Sequence, residues 1–88
     1  MPTIAVFFGI IIRMYWRDHS PPHVHAYYQG HKALVRIDTG EVIGGRLPTR
    51  AESLVREWVL SHNQALTANW ERGRHLLPFE KVPGADQE

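Results

Sequence analysis

Seven consecutive residues, His19-Ser20-Pro21-Pro22-His23-Val24-His25, gather three of the chain's six histidines around a proline pair. Imidazole is the neutral side chain that takes up a proton, gives one back or binds a metal near neutral pH without help from its surroundings. Three chemistries fit the run. In a metal-independent ribonuclease, His23 and His25 would exchange protons with a ribose 2′-hydroxyl and a leaving oxygen, with Arg36 or Lys32 stabilising charge on phosphorus. On an anion or nucleic-acid platform, arginine and lysine would hold phosphate while tyrosines stack on bases, each stack worth ~1–3 kcal/mol. In a metal site, His23 and His25 point the same way, and His19 or Asp18 closes a facial set with positions left for water. The sequence requires no cofactor. If a divalent metal binds, the expected ligands are His19, His23 and His25. The plainer roles are a turn cap for His19 and a solvated or oligomer-covered sheet face for His23 and His25.

The elements that position these residues divide into a β half and an α half. Ile10 to Trp16 has the β-branched and aromatic composition of a half-buried strand, with Ile4 to Phe8 before it as a linked continuation or an edge strand. Asp18 to Pro22 is a turn, because successive prolines remove amide donors and disfavour helix before them. Strands follow at His23 to Tyr28, His31 to Asp38 and Glu41 to Ile43, punctuated by Gln29-Gly30, Thr39-Gly40 and Gly44-Gly45. Thr49 and Glu52 have the spacing of a capping box. Ala51, Leu54, Val55, Trp58, His62, Ala65, Leu66, Asn69 and Trp70 then form an apolar helical stripe, ending near Gly73. Such a helix of roughly 24 residues is about 36 Å long, so a kink around Ser61 to Asn63 or an overhanging end is expected. The fold expected is α+β, a three- to four-stranded antiparallel meander packed against one long C-terminal helix. Residues 1–77 form the domain and 78–88 a polar, partly disordered tail.

A two-residue loop at Gln29-Gly30 pairs Tyr28 with His31, Ala26 with Ala33 and Val24 with Val35. Alternation then puts Val24, Ala26, Tyr28, Ala33, Val35 and Ile37 under the helix. The other face receives His23, His25 and Tyr27 opposite Arg36, Leu34 and Lys32, with Arg13 and Tyr15 beside them. His62 and Asn69, inside the stripe, are expected to be buried or half-buried and hydrogen-bonded. Trp16, Trp58 and Trp70 are expected to be core or interface anchors.

Ten basic and nine acidic residues leave a formal charge of +1, so any electrostatic targeting depends on how charge is distributed. The absence of cysteine removes disulfides and thiolate metal sites and suits a reducing compartment. The apolar run Ile4 to Ile12 is far shorter than the ~20 residues of a membrane span and has no leader pattern around it. A cytoplasmic protein with no membrane partner is expected.

The opening Met1-Pro2-Thr3-Ile4, Phe8-Gly9-Ile10, Ile12-Arg13-Met14-Tyr15, Asp18-His19 and Pro21-Pro22-His23-Val24-His25 resemble the small bacterial proteins grouped as domain-of-unknown-function family 4160. Gly45, Leu47-Pro48, Trp58, His62, Leu66 and Asn69-Trp70 extend the likeness. The resemblance implies a short βα protein often encoded beside a second small protein, of the family numbered 2442, in an arrangement like a toxin–antitoxin pair. It implies no established activity and transfers no catalytic residue. It does bring His62 and Asn69-Trp70 into consideration for a site or interface. The sequence therefore points to a cytosolic interaction module, one member of such a pair, working through a His, Arg and Tyr sheet surface. On that surface His23, His25 and Arg36 are the catalytic candidates, and Arg13, Tyr15, His19, Tyr27, Lys32 and His62 the binding candidates. Its expected partner is the protein of the adjacent gene, with RNA and a second copy of the chain as the other partners considered.

Overall fold

In the computed structural model, which describes residues 2–87, five strands form one antiparallel sheet in sequence order. They are β1 (Thr3–Phe7), β2 (Ile10–Arg13), β3 (His23–Tyr28), β4 (His31–Arg36) and β5 (Val42–Arg46). Two helices follow, α1 (Thr49–Ser61) and α2 (Asn63–Arg74). The α+β class stands, while the three- to four-stranded sheet with one helix is corrected. The segment before Gly9 is a separate edge strand, because Phe8 and Gly9 both take positive φ and reverse the chain. Gln29 and Gly30 do the same between β3 and β4, which fixes the pairing of Val24 with Val35 and Tyr28 with His31.

Side-chain alternation along this register builds the core. Ile10, Ile12, Val24, Ala26, Ala33 and Val35 are buried together with Val55, Trp58, Val59 and Leu66 of the helices. Phe7 packs against Trp58 with ring centroids 5.0 Å apart.

The long helix is broken at His62, where the ring Nδ1 lies 2.9 Å from the Trp58 carbonyl and Asn63 donates to the Ile37 carbonyl at 2.7 Å. An unbroken rod of some 36 Å would exceed the molecule's longest dimension of 34 Å. The bend keeps Leu66, Asn69 and Trp70 buried. The capping box does not form. Pro48 is the N-cap residue, its carbonyl accepting from the Glu52 amide, and Thr49 is already helical. Glu52 reaches Arg56 instead.

The segment after Pro78 returns across the molecule. Val82 is buried and donates its amide to the Ile4 carbonyl, and Trp58 Nε1 donates to the Pro83 carbonyl at 2.8 Å. Asn69 clasps Glu80, donating to its carbonyl and accepting from its amide, both at 2.9 Å. The expected disorder of the last residues falls partly on Glu88, outside the described residues. Among the described residues no helix is long and apolar enough to cross a membrane.

Candidate functional site

The nine residues between β2 and β3 carry Asp18 and His19 to the start of β3. Anchors at both ends hold this loop. Trp16 stacks on Phe79 at 4.8 Å and donates to the Leu77 carbonyl, the Arg17 amide reaches the Gly73 carbonyl, and the Ile37 amide reaches the Pro22 carbonyl. Asp18 is thereby placed beside the first and third side chains of β3. Its Oδ2 lies 2.8 Å from His25 Nε2 and 3.0 Å from His23 Nε2. Its Oδ1 accepts the His19 amide at 2.9 Å and lies 3.1 Å from His19 Nδ1. His23 donates from Nδ1 to the Pro21 carbonyl at 2.7 Å.

Burial works against charge on both sides of this cluster. It would raise the Asp18 carboxyl, but the bonds from His25 and the His19 amide, with the charges of His23 and His25, outweigh it and hold the carboxyl below its ordinary value. For His25, burial dominates and pushes the imidazole below its ordinary value, the bond and charge of Asp18 only partly opposing it. Charge from His23 and Lys32 adds to the lowering. Asp18, His23 and His25 each offer a ligand atom within 4.8 Å of the others.

The exposure expected for His23 is corrected. Alternation does direct it away from the core with His25, but the ring is only 1% exposed. Trp70 of α2 lies over it at 5.3 Å, with His19 at 5.5 Å and His25 at 5.1 Å. Period-two patterning assigns a side chain to a face and does not say what later chain will cover that face. Of the residues considered as metal ligands, Asp18, His23 and His25 are brought together, while the His19 side chain is 81% exposed.

The remaining outer face is open. Tyr15 meets the His25 ring edge-on at 4.6 Å and shares a hydroxyl hydrogen bond of 2.9 Å with Tyr27. The Arg13 guanidinium lies 4.9 Å and the Lys32 ammonium 5.7 Å from the centre of the Tyr27 ring. Burial and the Tyr15 bond raise the Tyr27 hydroxyl above its ordinary value, so it stays protonated. His25, Lys32, Leu34, Gly44 and Gly45 line a shallow cavity of about 250 Å³. Arg13, Tyr15, His25, Tyr27 and Lys32 are thus one cluster, as expected. Arg36 pairs with His23 in register but is bound to Asp38 by two bonds of 2.8 and 2.7 Å. His62 sits at the helix break with its ring 5.2 Å from Trp58. Asp18, expected only as an alternative to His19 for closing a metal set, is the hub of the cluster, while the cover by Trp70 was not expected. The sequence signal for the hub is a carboxylate directly before the histidine run.

A family profile described as a domain of unknown function, DUF4160, matches residues 9–71. No curated protein and no solved structure matches the chain. The matched stretch runs from the β1–β2 turn into α2 and includes Asp18, His23, His25 and Trp70, and the chain belongs to the DUF4160 family.

Proposed function

We propose that the protein is a small interaction module working through the open outer face of its sheet, and that this face takes single-stranded RNA. The supporting observation is a local segregation of charge. Arg13 and Lys32 flank Tyr27, and the register sets Arg46 opposite Lys32. None of the three makes an ion pair among the described residues. Asp18, at the edge of this face, is taken up by His19, His23 and His25, and other carboxylates lie elsewhere, with Glu52, Glu57 and Glu71 on the helices and Asp38 and Glu41 at the β4–β5 turn. A formal charge of +1 therefore averages over a cationic sheet face. Two tyrosines amid unpaired cations suit bases and phosphates together, the combination that binds single strands with little sequence preference.

The test is titration of a labelled RNA of about ten nucleotides into chelator-treated protein, at salt from about 50 to about 200 mM. Binding should weaken with salt, and Tyr27→Ala should lower affinity by about 5- to 150-fold, the loss of one stack. Lys32→Ala should flatten the salt slope, whereas Arg36→Ala, already neutralised by Asp38, should change little. Failure to bind at low salt refutes the RNA reading. If the protein of a neighbouring gene then co-purifies in a Tyr27- and Lys32-dependent way, the face is a protein interface.

A further inference from the structure

We infer that Asp18, His23 and His25 form a binding site for one divalent first-row transition-metal ion, adjoining the outer face through His25 but built independently of what that face binds. His23 carries the argument. A carbonyl oxygen can only accept, so the 2.7 Å contact with Pro21 fixes the ring proton on Nδ1. The Nε2 of the neutral ring is then a bare lone pair. That atom is buried within a residue 1% exposed, and it has no hydrogen-bond partner despite lying 3.0 Å from Asp18 Oδ2. Two electron-rich atoms, this nitrogen and the carboxylate oxygen, thus meet at 3.0 Å with no hydrogen bond between them, and the nitrogen is shut off from water. Leaving such atoms opposed costs more than leaving one polar group unpaired, because desolvation and repulsion add.

A cation resolves the conflict, and it is either a proton or a metal. A proton on His23 Nε2 makes a buried imidazolium against the Trp70 ring, with its N–H directed away from the carboxylate it should pair with. A metal accepts the lone pair directly. His25 Nε2, 2.8 Å from the same Oδ2, supplies the second nitrogen once the ring proton it now gives to the carboxylate moves to Nδ1, and the Asp18 carboxylate supplies the oxygen. With bonds of ~2.1 Å, neighbouring ligands sit ~3.0 Å apart in an octahedron and ~3.4 Å apart in a tetrahedron. The carboxylate-to-imidazole separations of 2.8 and 3.0 Å are close to those spacings.

The bond from His23 Nδ1 to Pro21 then becomes the outer support that metal-bound histidines commonly have, fixing tautomer and ring angle. Two imidazoles and one carboxylate favour zinc, iron, cobalt or nickel over calcium and magnesium, which want oxygen ligands. Three protein ligands leave at least one position open, next to the exposed His19 ring.

The test uses the chelator-treated full chain titrated with zinc against a chromophoric competitor, and with cobalt, whose visible bands report the ligand field. One equivalent should bind. Asp18→Asn, nearly isosteric, and His25→Gln should each weaken binding by about a hundredfold or more, while His75→Ala, at an exposed residue, should not. Circular dichroism confirms the fold of each variant, and His25→Gln decides should Asp18→Asn misfold. The inference is overturned if zinc, cobalt and nickel fail to bind saturably, or bind equally well to both variants. It is also overturned if ¹⁵N shifts show both His23 ring nitrogens protonated at pH 7. None of these outcomes depends on RNA, so the two proposals stand or fall apart.

Discussion

Replacing Asn69 by alanine should loosen the end of the chain and destabilise the whole domain. The side chain is 1% exposed and makes two 2.9 Å bonds to the backbone of Glu80. Each is worth ~1 kcal/mol net, and the Glu80 amide and carbonyl both lose their partner at once. Glu80 is itself exposed, so water can reach these groups once the clasp opens and the cost stays below that of two permanently buried orphans. A loss of about 2–4 kcal/mol follows, a large share of the roughly 4–13 kcal/mol expected for 88 residues. Val82, buried two residues further on, and the Trp58–Pro83 bond depend on the same clasp.

Urea unfolding followed by tryptophan emission should show the midpoint falling by roughly 2–4 M, at a slope of ~1 kcal/mol per molar. Hydrogen exchange gives a local reading. The Val82 amide, bonded to the Ile4 carbonyl, should lose protection by more than the Leu34 amide of the interior strand β4. Asn69→Asp should fall between, since it keeps an acceptor for the Glu80 amide but turns a second oxygen toward the Glu80 carbonyl. A stability change below about 0.5 kcal/mol with Val82 still protected would refute the reasoning.

Acid should weaken the chelator-treated protein in two stages. His25 has a lowered value in the fold, so the unfolded chain takes up its proton first as pH drops past 6.5, and stability falls by at most ~1.4 kcal/mol per pH unit until the folded group titrates. Asp18, also lowered, adds a second loss as pH falls from 3.8 through its folded value. Urea midpoints that stay level or rise from pH 7 to about pH 5 would contradict the first stage. At Gly45, with φ of 70°, an added Cβ would collide with the Lys32 backbone carbonyl, so Gly45→Ala should cost about 2–4 kcal/mol and part β5 from β4. Gly30→Ala, at φ of 83° with nothing within 4 Å, should cost only ~1 kcal/mol, and equal thermal melts for the two variants would count against the steric argument.

The β3–β4 register was legible because two signals agreed. Gln29-Gly30 fits the two-residue turn, and the resulting pairing puts Val24, Ala26, Ala33 and Val35 on one face, leaving Leu34 as the one aliphatic side chain of the two strands on the other. The bend near His62 was legible from length alone. The position of Asp18 was not, since its contact with His25 spans seven residues of irregular chain whose path is set by anchors as distant as Leu77. The burial of His23 escaped for the same reason. Its cover, Trp70, belongs to the helix stripe, and the stripe predicts burial without naming the partner. The capping box misled because Pro48, with φ of −56°, starts the helix one residue earlier. The packed return of Val82 was hidden by short length and polar composition, which lower expectation of order but do not prevent a single valine from completing a core.

The bond from Val82 to Ile4 lays the segment after α2 against the outer rim of the first strand. Until Val82 docks, the Ile4 carbonyl on the outer rim of β1 has no backbone partner, and an edge strand of this kind is a template for pairing with a neighbouring polypeptide. Whatever displaces Val82 uncovers that rim, so the same single bond that closes the core also keeps one sticky border shut.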